Sequence, residues 1–150
     1  MSGFSEFLKR RRAILGLTQR DLARRSGVAQ PLVADLETGA HHATDSTQNA
    51  LREALTLRPS IALAARRDLL LQAIDQIGGR DPLVIGSVAR GEDTPNSDLD
   101  LVITFPADAS IIDLLTLEDT LSSILTVPVD IISAGSLTVR DSLQEPTLPM

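Results

Sequence analysis

Residues 82–105, PLVIGSVARGEDTPNSDLDLVITF, constrain this chain more than any other stretch. Two short apolar runs, Pro82–Ile85 and Asp98–Phe105, are separated by a sharp Gly86-Ser87 turn, a short helical turn and a polar loop. Side chains of a strand alternate between faces, so Asp98 and Asp100 share one face while Leu99, Leu101, Ile103 and Phe105 share the other. Two carboxylates about 7 Å apart along a strand repel each other, and in a half-buried setting they need cations. Oxygen ligands that retain water suit magnesium.

A third acid, Asp130, interrupts the apolar run VPVDIIS, and Ile111–Leu125 between the two runs reads as an amphipathic helix with Ile112, Leu115, Leu121, Ile124 and Leu125 as its apolar stripe. A strand–helix–strand crossover returns the second strand parallel to the first. Asp130 would then join Asp98 and Asp100, and three carboxylates can hold two metal ions. Gly86-Ser87 offers the complementary half. Backbone N–H groups at a turn into a helix bind phosphate oxygens, glycine permits close approach, and the serine hydroxyl adds a donor. Arg90 can neutralise phosphate charge or pair with Glu92 or Asp93.

Gly86-Ser87, ten intervening residues, then Asp98-x-Asp100 resembles the signature of the DNA polymerase β-like nucleotidyltransferase superfamily. The fuller string GSVARGEDTPNSDLDLVI is similar to its minimal nucleotidyltransferase family, over about residues 60–140. The resemblance implies that Asp98, Asp100 and Asp130 are catalytic and ligate two magnesium ions, that Asp130 activates the nucleophile, and that Gly86 and Ser87, with Arg90, hold ATP. In that chemistry a hydroxyl attacks the α-phosphate and pyrophosphate leaves.

The N-terminal part reads differently. Residues 5–15 bring Phe7, Leu8, Ile14 and Leu15 together at helical spacing, and Gly16 stops that helix. Thr18 predicts an N-cap for QRDLARRS, with Asp21 completing a capping box, and Leu22 and Ala23 pointing inward. Gly27 supplies a left-handed turn. A third helix runs from Gln30 to Glu37 with Pro31 tolerated in its first turn, Thr38-Gly39 ends it, and a fourth covers about Thr47–Thr56. Helix, short turn with glycine, helix is the helix-turn-helix arrangement. LTQRDLARRSGVAQPLVADLETG resembles the Cro/repressor (XRE-type) family over about residues 5–57. The resemblance implies operator DNA as a partner, a possible homodimer on paired half-sites, and DNA-facing positions at Gln19, Gln30, Pro31 and Leu32. Gln30 would read a base, because an amide can bond adenine bidentately, and Gln19 would meet phosphate. Asp35 departs from the pattern, since an acid on the reading helix repels phosphate. His41-His42 lies in a loop without an acid-rich cluster and does not read as a metal site.

Charge divides the same way. Residues 1–58 hold nine Lys/Arg against six Asp/Glu, and residues 59–150 hold five against fourteen. A basic part can face phosphate directly, whereas a strongly acidic part needs metal ions or a basic partner first. With three Phe, no Trp and no Tyr, the core must be aliphatic, and with no Cys there is neither disulfide nor thiolate metal site. No apolar run approaches the roughly 20 residues of a membrane span, and the chain reads as cytoplasmic, with no membrane partner. Pro59 disfavours helix at Arg58. Ser60 then predicts the cap of a long helix, Ile61–Ile77, with Leu63, Leu69, Leu70, Ala73, Ile74 and Ile77 buried. A short helix over Val139–Gln144 and an extended, unstructured tail containing Pro146 and Pro149 complete the reading.

The expected fold is thus two small domains. An all-α helix-turn-helix bundle over residues 1–58 precedes an α/β (α+β) nucleotidyltransferase domain over residues 59–150, with a short mixed sheet flanked by helices. So small a catalytic domain favours a macromolecular acceptor. By family analogy, the combination implies an antitoxin-like enzyme. It would transfer AMP to a protein partner such as a HEPN-type toxin, and its DNA-binding module would repress its own operon. The alternatives are a transcription regulator whose nucleotidyltransferase domain only senses nucleotide, and an antitoxin that masks its toxin without chemistry.

Overall fold

The computed structural model describes residues 3–135 and 148–150, and the chain forms two compact units, Met1–Leu57 and Arg58–Met150. The predicted helix over Val139–Gln144 lies outside the described residues.

The first unit is four helices: α1 (Phe4–Ile14), α2 (Gln19–Ser26), α3 (Gln30–Thr38) and α4 (Asp45–Ala54). Thr18 and Asp21 form the expected reciprocal capping box at α2, and Gly27 closes that helix at φ 76°. Pro31 occupies the first turn of α3, where its missing N–H costs nothing. α4 starts earlier than its sequence pattern suggested. Thr44, not a residue nearer Thr47, is the cap, and its hydroxyl accepts the Thr47 N–H. Leu8, Leu22, Val33, Leu36, Leu51 and Leu55 form the core, each buried to within 1%. Beside it, Phe4 and Phe7 stack at 6.0 Å, and the Arg52 guanidinium lies over both rings. Burial, reinforced by the charge of Arg52, lowers the Arg11 pKa to about 10; Arg11 also donates to the Leu55 carbonyl at 2.7 Å.

The second unit runs α5 (Pro59–Gln76), β1 (Arg80–Ile85), α6 (Gly86–Ala89), β2 (Leu99–Thr104), α7 (Ile111–Leu125), β3 (Val129–Ser133) and β4 (Leu148–Pro149). The sheet order is β3-β2-β1-β4. β1 is antiparallel to β2 and β4, and β3 is parallel to β2 through the α7 crossover, as the spacing of the two acidic strands predicted. Residues 148–150 are not a free tail: β4 pairs with β1, and Met150 N–H donates to the Pro82 carbonyl; Pro146 lies outside the described residues.

Ser60 is not the cap of α5. Arg58 holds that position and Pro59 the first turn. The Ser60 N–H is taken instead by the Asp93 carboxylate at 2.9 Å, from a loop 33 residues away. The Ser60 hydroxyl is buried beside that carboxylate without reaching hydrogen-bond geometry. Leu99, Leu101 and Ile103 are wholly buried, as is Leu121 of α7, and Ile74 of α5 meets Ile103 at Gly79, where a β-carbon would lie 2.8 Å from Ile74 Cγ2. The predicted stripes are only partly correct. Leu70 and Ile74 are buried on α5 and Leu121 and Leu125 on α7, but Leu69, Ile112 and Leu115 stand in solvent, and Leu117 takes the inward place assigned to Leu115. α7 carries apolar residues around much of its first two turns, so periodicity alone did not choose the buried side.

Candidate active site

Strand alternation and register assemble the site. Asp100 of β2 and Asp130 of β3 are direct partners across the parallel ladder, so both carboxylates rise from the face opposite Leu99, Leu101 and Ile131. Asp98 sits just before β2 rather than within it, where the Leu99 N–H bonds the Pro128 carbonyl. The three acids read from the sequence thus come together at one end of the sheet.

Their closeness sets their electrostatics. Burial first, then the negative charges of Asp130 and Asp98, push Asp100 above the usual carboxylate range, against a smaller pull from Arg90. Burial likewise raises Asp130, followed by the charges of Asp98 and Glu118, and Asp98 lies within hydrogen-bonding reach of it. Among the described residues, no group of three or more His, Cys, Asp or Glu side chains is arranged to hold a metal ion as the side chains stand. The donor set nonetheless fits a hard divalent cation. All three groups are carboxylates, and their mutual repulsion is what such an ion relieves.

Gly86 closes the site from β1. Its φ is +71°, and a β-carbon built on it would lie 2.5 Å from Asp100 Oδ2. Two independent constraints, the left-handed backbone and the carboxylate against Cα, both require glycine here. Ser87 follows in α6, half-buried, its carbonyl accepting the Glu92 N–H. Arg90 ends that turn. It pairs with Glu92 at 3.1 Å, as its alternative reading allowed, while its charge still reaches Asp100.

In the first unit, the polar positions read from the sequence are wired together. Arg12 binds Glu37 through Nε at 2.7 Å and Nη2 at 3.2 Å, Gln19 Nε2 donates to the same carboxylate at 2.9 Å, and Gln30 Nε2 donates to Gln19 Oε1 at 3.1 Å. Gln19 is thereby an oriented link between the buried Glu37 and Gln30, not an isolated surface amide. Pro31 is exposed, but Leu32 packs partly against the core. Asp35, the acid out of pattern on α3, pairs with His41 at 3.2 Å. Sequence reasoning missed that pairing because it spans a helix end and a loop.

Each of the two parts matches a known domain family. The model of the family described as "Nucleotidyltransferase domain" matches residues 69–149, more than half of the chain. The chain belongs to the nucleotidyltransferase domain family. A helix-turn-helix domain model matches residues 4–64. Two proteins of Methanocaldococcus jannaschii, each provisionally named a protein adenylyltransferase, are both 37% identical to this chain where they align. One aligns over 65 residues, 41% of this chain and 66% of its own length, and the other over 54 residues, 36% and 63%. The chain thus spans just under two thirds of these relatives. A solved structure, provisionally described as a minimal nucleotidyltransferase, superposes with a TM-score of 0.53 at 35% identity, over 61% of this chain and 95% of that one. Among the described residues, no helix of this chain is long and apolar enough to cross a membrane.

Proposed function

We propose that this nucleotidyltransferase transfers AMP from ATP to a protein partner, in the manner of an antitoxin acting on a HEPN-type ribonuclease toxin, and that its helix-turn-helix unit binds operator DNA to regulate its own expression. One observation carries the catalytic part: Asp100 and Asp130 are register partners on parallel strands, with Asp98 beside them and the Gly86 backbone against Asp100. The names of the archaeal relatives support a protein acceptor and an adenylyl group.

In this reading the Gly86-Ser87 turn receives the triphosphate and Arg90 offsets part of its charge. Asp98, Asp100 and Asp130 would hold two magnesium ions, which, when bound, neutralise the phosphates and favour ionisation of the attacking hydroxyl. The acceptor oxygen bonds to the α-phosphorus, the bond from that phosphorus to the β-phosphate's bridging oxygen breaks, and pyrophosphate leaves with the electron pair. The Asp130 carboxylate takes up the hydroxyl proton.

In the DNA-binding unit, the Glu37–Gln19–Gln30 chain presents Gln30 with one amide hydrogen already committed, leaving its carbonyl and second hydrogen for an adenine edge. Asp35 on the same helix as Gln30 is held by His41 from the following loop, at 3.2 Å.

The test is neutralisation in cells. Wild-type chain should rescue growth against the toxic product of its neighbouring gene, and the Asp98→Asn/Asp100→Asn protein, equally expressed, should not. Rescue by the double variant would replace chemistry with simple masking.

A further inference from the structure

β3 is an edge strand: β2 lies on one side, and among the described residues no strand lies on the other. Such an edge presents unpaired N–H groups. Here two of them are taken by side chains of a single helix. The Val129 N–H donates to Ser122 Oγ at 3.1 Å, and the Ile131 N–H donates to Glu118 Oε1 at 3.0 Å. Glu118 and Ser122 are one turn apart on α7, at the i, i+4 spacing that puts side chains on a common face. They flank the inward Leu117, Leu121 and Leu125 stripe, which is buried. The residue between the two bonded amides is Asp130, whose side chain points to the opposite face.

We propose that Glu118 and Ser122 are positioning residues that staple the outer edge of β3 on both sides of Asp130 and so hold its carboxylate in register with Asp100. This rests on the reading of Asp130 as part of the transfer machinery. An edge strand bonded on one side only can twist and shift along its free edge. With the staple, the backbone on either side of Asp130 is fixed by helix as well as sheet. A displacement of about 1 Å at a reacting group costs on the order of 10²-fold in rate. The Gly86-Ser87 turn that receives the triphosphate lies in α6, away from this edge. The staple therefore acts more on turnover than on affinity for ATP.

The sharpest test compares Glu118→Gln, Glu118→Ala and Ser122→Ala in the full chain, with two readouts. Amide hydrogen exchange at Ile131 and Val129 reports the staple directly. Transfer kinetics with varied ATP separate kcat from KM. Glutamine keeps the accepting oxygen but removes a charge that acts on Asp130, so Glu118→Gln should retain slow exchange at Ile131 and lose far less kcat than Glu118→Ala. Glu118→Ala should speed exchange at Ile131 about tenfold or more and lower kcat by roughly 10²-fold, with KM for ATP within about twofold of wild type. Ser122→Ala, which removes one neutral acceptor and is well tolerated in a helix, should do the same at Val129 more mildly. Glu118→Gln as slow as Glu118→Ala, with Ile131 still protected, would overturn positioning in favour of a charge effect. Unchanged kcat in Glu118→Ala despite lost protection would also overturn it. No transfer by wild type would sink the reading of the site itself, whereas equal transfer by wild type and Glu118→Ala would sink only the staple.

Discussion

Asp93 ties its loop to the start of α5, although nothing in that loop advertises it. It is 6% exposed, and its carboxylate accepts the Ser60 N–H at 2.9 Å, in the first turn of α5. Burial alone would raise its pKa; the hydrogen bonding from Ser60 and the positive charge of Arg58 outweigh this and hold it below the usual carboxylate range. A hydrogen bond to a charged group contributes about 1.5–3 kcal/mol, and loss of a helix cap about 1 kcal/mol. These overlap here, because the one bond does both jobs, so Asp93→Ala should cost about 2 kcal/mol. For a unit of this size that lowers Tm by roughly 8–16 °C. Asp93→Asn keeps an acceptor and loses the charge, and should cost about half as much. A group whose folded pKa is depressed stabilises above its unfolded value, near 3.9, and loses that contribution as pH falls through the folded pKa. The gap between wild type and Asp93→Asn should therefore be constant from neutral pH down to about 5 and narrow below about 4. Denaturant unfolding of the full chain at several pH values, followed by far-UV circular dichroism, measures it. A cost of a few tenths of a kcal/mol for Asp93→Ala, or a gap that does not narrow in acid, would refute the reasoning.

Gly86→Ala should lower nucleotidyl transfer by about 10²-fold while the protein stays folded, because its β-carbon would displace the Asp100 carboxylate; steady-state transfer assays giving wild-type rates would contradict the packing. Arg12→Met should destabilise the first unit by about 3–5 kcal/mol, since it strands Glu37, whose side chain is 3% exposed; urea unfolding monitored by helical signal decides it. Gln30→Ala should reduce the preference for the DNA upstream of its own gene over a scrambled duplex by about 1–3 kcal/mol and leave the salt dependence unchanged. Fluorescence anisotropy at several salt concentrations reads both, and equally weakened binding to both duplexes, with unchanged preference, would assign Gln30 to phosphate instead.

Local signals in the sequence carried far. The Thr18–Asp21 capping box, the left-handed Gly27, the end of α3 at Gly39, and the alternation of Leu99, Asp100 and Leu101 each follow from one or two residues and reappear in the structure. The parallel return of Asp130 was legible because a helix of fifteen residues between two strands leaves few other topologies. What failed was non-local or degenerate. Ser60 looks like a cap, but Asp93 reaches it from another part of the chain. α7 has more apolar residues than its buried side can take, so Leu115 and Ile112 were placed inward wrongly. Leu148 and Pro149 look like a tail because nothing local announces pairing with β1. The wiring of Gln19 to Glu37, and of Glu118 to the β3 edge, depends on which helices meet, which no spacing within one segment reveals.

The most direct test of the account is transfer of label from ATP carrying it at the α-phosphate, set beside ATP carrying it at the γ-phosphate. Wild-type chain, magnesium and the product of the neighbouring gene should yield a partner labelled from the α-position only, and the Asp98→Asn/Asp100→Asn protein should yield none. Equal labelling by the double variant, or no labelling by a wild-type protein that measurably binds ATP, would contradict the assignment of these carboxylates to nucleotidyl transfer.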